Sequence, residues 1–76
     1  MISEHVARRI AADLLDVDPA RVSVELYDGY WMATVIGSAG EPLLGGAAVV
    51  VRPDGQARRT SASLPPALRI RQAAGS

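Results

Sequence analysis

The chain has 76 residues, no cysteine, no phenylalanine and a formal net charge of zero. This length allows one small domain, which buries only about 60% of the surface that its unfolded chain exposes and is therefore marginally stable on its own. The lack of cysteine excludes disulfides and argues against a thiolate zinc site. Self-association or a tight protein partner is the stabilising help that remains.

The sequence contains no candidate targeting or membrane segment. No stretch approaches the roughly 20 apolar residues that a membrane-spanning helix needs. The start, Met1-Ile2-Ser3-Glu4, lacks the basic residues and the apolar run of a secretion signal. We therefore expect a natural start at Met1 and a cytoplasmic protein.

Residues 3–16 are predicted to form an amphipathic helix. Ser3 is a good N-cap, and Ile2 before it can act as an apolar staple. Pro19 ends the helix because it disfavours helical geometry at Asp18. The apolar residues that recur at helical spacing are Val6, Ile10 and Leu14, with Ala7, Ala11 and Leu15 beside them.

Two alternating runs, at about 21–27 and 30–36, are predicted to form a β-hairpin around Asp28-Gly29. A two-residue Asp-Gly loop favours a type I′ turn, and that turn fixes the register so that Tyr27 faces Tyr30. One face then carries Val22, Val24, Leu26, Trp31, Ala33 and Val35, and the other carries Ser23, Glu25, Tyr27, Tyr30, Met32 and Thr34. The first face is wholly apolar, so we expect it to lie beneath the helix.

The second half of the chain predicts two further strands and an ambiguous tail. The run "AAVVVR" favours a strand at about 46–52 that is central or covered on both faces. The turn "RPDGQ" leads to a polar strand at about 56–61, typical of a sheet edge. In the tail, 64–76, Pro65-Pro66 could open a short helix, or the segment could trail across the surface. A trailing segment would be anchored by Leu64, Leu68 and Ile70.

These elements predict an α+β fold for residues 1–76: an N-terminal helix packed on one face of an antiparallel sheet of three to four strands, with a possible short C-terminal helix. Because one helix covers one face, we expect the other face to be open to a partner. Tyr and Met are enriched at protein interfaces. The predicted partner-binding residues are Tyr27, Asp28, Tyr30, Met32 and Glu25. The alternative is that the tail folds back over this face.

No residue pattern indicates catalysis, a metal or a cofactor. His5 is the only histidine, which leaves no Ser/His/Asp set to argue. The acids Asp13, Asp16 and Asp18 do not have the spacing of an EF-hand loop. The glycine pairs match neither a phosphate loop nor a dinucleotide fingerprint. We expect a protein that is not an enzyme and that has no catalytic, cofactor-binding or metal site.

The C-terminal part is basic. Residues 55–76 contain no acid and four arginines, namely Arg58, Arg59, Arg69 and Arg71. Such a segment could meet an acidic partner or nucleic acid, or it could be solvated beside the acidic helix of its own domain. Zero net charge and the lack of a base-stacking motif argue against nucleic acid.

The order of these motifs resembles the small bacterial YrhB-like proteins, which are grouped among the polymorphic-toxin immunity proteins. The matching stretches are "DGYW" at 28–31, "LLGGAAVVVRPDG" at 43–55 and "SASLPPAL" at 61–68. The likeness covers most of the chain from Ile2 to about Leu68, and departs from the family at Ala47, where many members have proline. The resemblance implies a cytoplasmic, non-catalytic protein that works by binding a toxin.

Two hypotheses of function follow. The first is an immunity-type inhibitor that occludes a cognate toxin enzyme with its open sheet face. The second is a homodimeric accessory or scaffold module that pairs with its own copy through the same face.

Overall fold

A computed structural model describes residues 1–36 and 47–75, and the predicted loop at 37–46 lies outside this part of the chain. The α+β prediction is confirmed: a helix packs on a four-stranded antiparallel sheet of order β1-β2-β3-β4, and a short helix ends the chain. The elements are α1 (Glu4–Leu15), β1 (Val22–Tyr27), β2 (Tyr30–Val35), β3 (Ala47–Val51), β4 (Ala57–Ser61) and α2 (Pro66–Gly75).

Both ends of α1 are held by local contacts. The Oγ of Ser3 accepts a hydrogen bond from the Val6 N–H at 3.3 Å, as expected of an N-cap. The helix ends at Asp16, whose φ of 56° lies in the left-handed region. Asp18 then caps a short 3-10 helix by accepting from the Ala20 N–H at 2.9 Å. Asp16 and Asp18 therefore shape the backbone between α1 and β1.

The hairpin forms with the predicted register. Tyr27 faces Tyr30, Leu26 faces Trp31, and the pairing continues to Val22 and Val35. Asp28 and Gly29 have φ angles of 50° and 81°, the pair of positive values that a type I′ turn requires.

The fully buried residues of α1 are its small ones, and Ile10 and Leu15 pack beside them at the edge of the core. Ala7, Ala11 and Ala12 are 0% exposed, whereas Val6 and Leu14 are 41% and 39% exposed. Val6 and Leu14, two of the bulky residues in the predicted apolar stripe, thus lie on the flank of the helix. Alanines let the helix backbone approach the sheet, and the space between them is filled by side chains of the strands. Those strand residues are Val22, Val24, Ala33, Val49 and Val51.

Trp31 lies on this near face, as predicted, and packs against the edge of the core. Its Nε1 donates to the Ile2 carbonyl at 3.2 Å, which ties the start of the chain to the hairpin. Leu26 is different: it was expected beneath the helix but is 54% exposed. Val22 and Val24, on the same face of β1, are buried in the core, so α1 covers the start of this strand and leaves its hairpin end exposed.

Enlarging the alanine contact tests this packing. We expect Ala11→Leu to lower the free energy of unfolding by about 1–3 kcal/mol, because the added methyl groups have no space against the sheet. Val6→Leu, on the exposed flank of the same helix, is the control and should change stability by less than about 0.5 kcal/mol. Urea unfolding of both variants makes the comparison; equal effects would contradict the close approach at Ala11.

Candidate functional site

The sheet face away from α1, which we call the far face, is only partly open. Met32 is 5% exposed, and Val50, its register partner on β3, is buried as well. Thr60 of β4 is also buried, and α2 contacts both β4 and β3. The alternative in which the tail folds back over this face therefore applies in part, and little of Met32, which lies opposite Val50, is accessible to a partner.

The side chain of Arg69 connects the tail helix, α2, to the segment that precedes it. The Nε of Arg69 donates to the Leu64 carbonyl at 2.7 Å, and its Nη2 donates to the Ala62 carbonyl at 2.8 Å. These bonds connect α2 to the turn that follows β4. Of the two conformations considered for the tail, the helical one is observed. Arg69, placed by its position in the sequence among the basic surface residues, is half-buried and has a structural role.

The open part of the far face lies at the end of the hairpin. Tyr27 is 43% exposed, Glu25 and Asp28 are exposed, and Tyr30 is half-buried. We call these four residues the tip surface. The two-residue turn fixes the backbone on which they stand. The structure thus brings together four of the five predicted partner-binding residues and buries the fifth, Met32.

A groove adjoins the tip surface. Its volume is about 340 Å³, and it is lined by Asp28, Gly29 and Tyr30 on one turn and by Arg52, Pro53 and Asp54 on the other. The two turns meet because β2 and β3 are antiparallel and Trp31 pairs with Val51. Sequence reasoning did not include the second turn, although two Asp-Gly turns at matching ends of neighbouring strands are a signal that could have found it.

The second turn is also well braced. The Oδ1 of Asp54 accepts from the Gln56 N–H at 3.0 Å, and the Arg52 N–H donates to the Gln56 carbonyl at 2.7 Å. Gly55 has a φ of 95°, a conformation that glycine adopts without strain. The Arg52 and Asp54 side chains are therefore carried, like the tip surface, on a fixed backbone.

The tip surface and this groove are acidic overall. Glu25, Asp28 and Asp54 supply three carboxylates against the single guanidinium of Arg52. A surface of this sign attracts a positively charged patch on a partner.

A second groove, on the β4 side, has the opposite sign. Its volume is about 540 Å³, and it is lined by Leu14, Arg52, Gln56, Ala57, Arg58 and Arg59. The predicted grouping of Arg58 and Arg59 thus extends to Arg52, whereas Arg69 lies elsewhere. Arg71 is exposed on α2 and does not line this groove.

The described residues, 1–36 and 47–75, contain no group of three or more His, Cys, Asp and Glu side chains arranged to hold a metal ion. His5 is exposed on the first turn of α1. Neither helix in this part of the chain has the length and apolar character to cross a bilayer.

Comparison with known proteins identifies no relative: no family model, no curated protein and no solved structure matches the chain. The resemblance to immunity proteins therefore stays a prediction.

The role of Arg69 is testable by substitution. We expect Arg69→Met to loosen α2, because two hydrogen bonds to carbonyls are lost while the apolar stem is kept. Amide hydrogen exchange in α2 should become at least about fivefold faster. Arg71→Met, at an exposed position of the same helix, is the matched control and should leave exchange unchanged. Equal exchange in the two variants would rule out the fastening role.

Proposed function

We propose that this chain is a non-catalytic protein-binding module of the immunity type, which inhibits a cognate toxin enzyme by covering part of its surface with the tip surface and the adjoining groove. The observation that carries the proposal is an exposed tyrosine, Tyr27, beside a second tyrosine and a carboxylate rim on a two-residue turn. Aromatic anchors of low conformational entropy with a polar rim are characteristic of protein interfaces.

The size of the surface is consistent with this role. A standard interface buries about 800 Å² on each partner, against a total accessible surface of 4596 Å² here. The contact would therefore take in the tip surface, the groove and their surroundings. Inhibition then needs no chemistry, since a protein seated over an active site excludes substrate by volume alone.

The negative charge of the tip surface and its groove indicates which class of partner they would bind. The excess of carboxylates at Glu25, Asp28 and Asp54 favours a partner with a positive surface. Enzymes that act on polyanions carry such a surface around their active site. We therefore propose a basic toxin enzyme as the target, and a cytoplasmic site of action.

The alternative function is a homodimeric accessory module that pairs through the open part of the far face. The supporting observation is that Tyr27 stays 43% exposed on a domain that is small for independent stability. In a dimer with two-fold symmetry, the Tyr27 side chains of the two copies would both be buried.

Truncating the two tyrosines tests both functions. We expect Tyr27→Ala with Tyr30→Ala to weaken binding to the toxin by at least about thirtyfold, since hot-spot aromatics each contribute about 2 kcal/mol. The measurement is growth protection on coexpression with the protein encoded immediately upstream, followed by titration calorimetry with its inactive form.

Leu68→Ala is the matched control, because Leu68 is also 43% exposed but lies on α2. It should leave protection and affinity unchanged. Unchanged protection in the double tyrosine variant would refute the tip surface as the contact. Sedimentation of the same variant tests the alternative, which requires the double change to dissociate a dimer.

A further inference from the structure

Strand β1 has a neighbour on one side only in the described part of the sheet, where the order is β1-β2-β3-β4. The direction of its backbone groups follows from the pairing with β2. The Ile36 N–H donates to the Arg21 carbonyl at 2.8 Å, and alternate residues of an antiparallel strand bond to the same neighbour. Ser23, Glu25 and Tyr27 therefore bond to β2, and the backbone groups of the intervening residues point away from the sheet. Those residues are Val22, Val24 and Leu26.

This edge lacks the devices that discourage pairing. Its sequence, "VSVELY", has a high β-propensity, no proline or glycine and one charge, Glu25. The opposite edge strand, "ARRTS", carries two arginines and is contacted by α2. Leu26 adds an apolar side chain, 54% exposed, at the free edge of β1. The two edges of the sheet are thus unequal, and β1 is the one suited to accept a further strand.

We propose that two copies of this chain associate through β1, pairing antiparallel around a two-fold axis to form a continuous eight-stranded sheet. The axis is perpendicular to the sheet, so both α1 helices lie on the same face. This contact uses the edge of the sheet, and it is therefore distinct from pairing through the far face, although it shares Glu25 and Tyr27 with the tip surface.

The outward-pointing groups restrict the register. The outward N–H and carbonyl groups of the two copies can form hydrogen bonds across the axis only when Ser23, Val24 or Glu25 lies opposite its own copy. Centring on Ser23 aligns only Val22–Val24, because the 3-10 helix at Pro19–Arg21 ends the strand. Centring on Glu25 places like charges directly opposite, which is destabilising. Centring on Val24 aligns Val22–Leu26 in full and leaves no like-charge pair, so this is the register that we assign.

Hydrogen bonding fits this register. The two Val24 residues exchange N–H and carbonyl groups with each other. The Val22 N–H already bonds to the Pro19 carbonyl, but its carbonyl points outward and accepts from the Leu26 N–H of the second copy. Every donor that β1 directs outward, apart from the one already used within the chain, then has an acceptor.

The side chains are complementary as well. On the near face, Leu26 lies opposite Val22 of the second copy and gains apolar cover. On the far face, Glu25 lies opposite Ser23. Beyond the paired stretch, the exposed Arg21 of the second copy reaches the ring of Tyr27, where a cation–π contact is favourable.

Sedimentation of the pure protein over about a hundredfold range of concentration is the first test, and we expect a reversible monomer–dimer equilibrium. Leu26→Pro removes an N–H that points away from β2 and is not used by any pairing of the described strands, and should raise the dimer dissociation constant at least about tenfold. Leu26→Lys, which keeps that N–H but places two charges at the seam, should weaken association in the same way. Val6→Lys is the control, because Val6 is similarly exposed on α1, and it should have no effect.

Crosslinking tests the register. The chain has no cysteine, so every disulfide in an engineered variant joins introduced residues. In the Val24-centred register Ser23 and Glu25 of different copies form a non-hydrogen-bonded pair, whose short separation suits a disulfide. The double variant Ser23→Cys with Glu25→Cys should form a covalent dimer under mild oxidation, whereas Glu25→Cys alone should not.

The outcomes distinguish this proposal from the others. A protein that stays monomeric throughout the range, or a dimer that survives both Leu26 changes, overturns it. Efficient crosslinking of Glu25→Cys alone overturns the assigned register. Tyr30 lies on β2, away from the edge. Tyr30→Ala should therefore leave the dimer intact while weakening toxin binding. A dimer lost with Tyr30→Ala would instead indicate pairing through the far face.

Discussion

The fold depends on a strand that is apolar on both sides. Val49, Val50 and Val51 follow one another on β3 and have at most 1% of their surface exposed. Since successive side chains of a strand point to opposite faces, burying all three requires cover on both faces of the sheet. Helix α1 covers one face, and α2 contacts β3 and β4 at the C-terminal end of the chain. The tail thus packs against the two strands that need this cover.

This constraint also decides where the molecule can meet a partner. Helix α1 packs on one face of the sheet and α2 contacts β3 and β4, whereas the hairpin end of β1 stays exposed. Glu25 and Tyr27 are exposed there, and Leu26 between them is exposed on the other face. The tip surface and the β1 edge lie next to each other because Glu25 and Tyr27 of the tip surface stand on the edge strand itself.

Sequence reasoning succeeded where the governing interactions were local. The Asp28-Gly29 turn sets the hairpin register by its own backbone geometry, so the sequence alone is enough to assign both faces of β1 and β2. It failed where distant segments meet. Met32 stands on the same strand and face as Tyr30 but is two residues farther from the turn, opposite the buried Val50 of β3, and no local pattern encodes this burial. Likewise, helical spacing identified the apolar residues of α1 but not that Ala11, rather than Val6, would face the sheet.

The distribution of charge gives a partner a direction of approach. Arg52 lines both grooves, with carboxylates of Asp28 and Asp54 on one side and Arg58 and Arg59 on the other. A protein with zero net charge has no long-range attraction for a charged partner as a whole, but separated patches of opposite sign still orient it. A basic partner that is drawn to the tip surface is repelled by the β4 side. The same asymmetry leaves the β1 edge, with its single charge, as the region where a second copy meets the least electrostatic opposition.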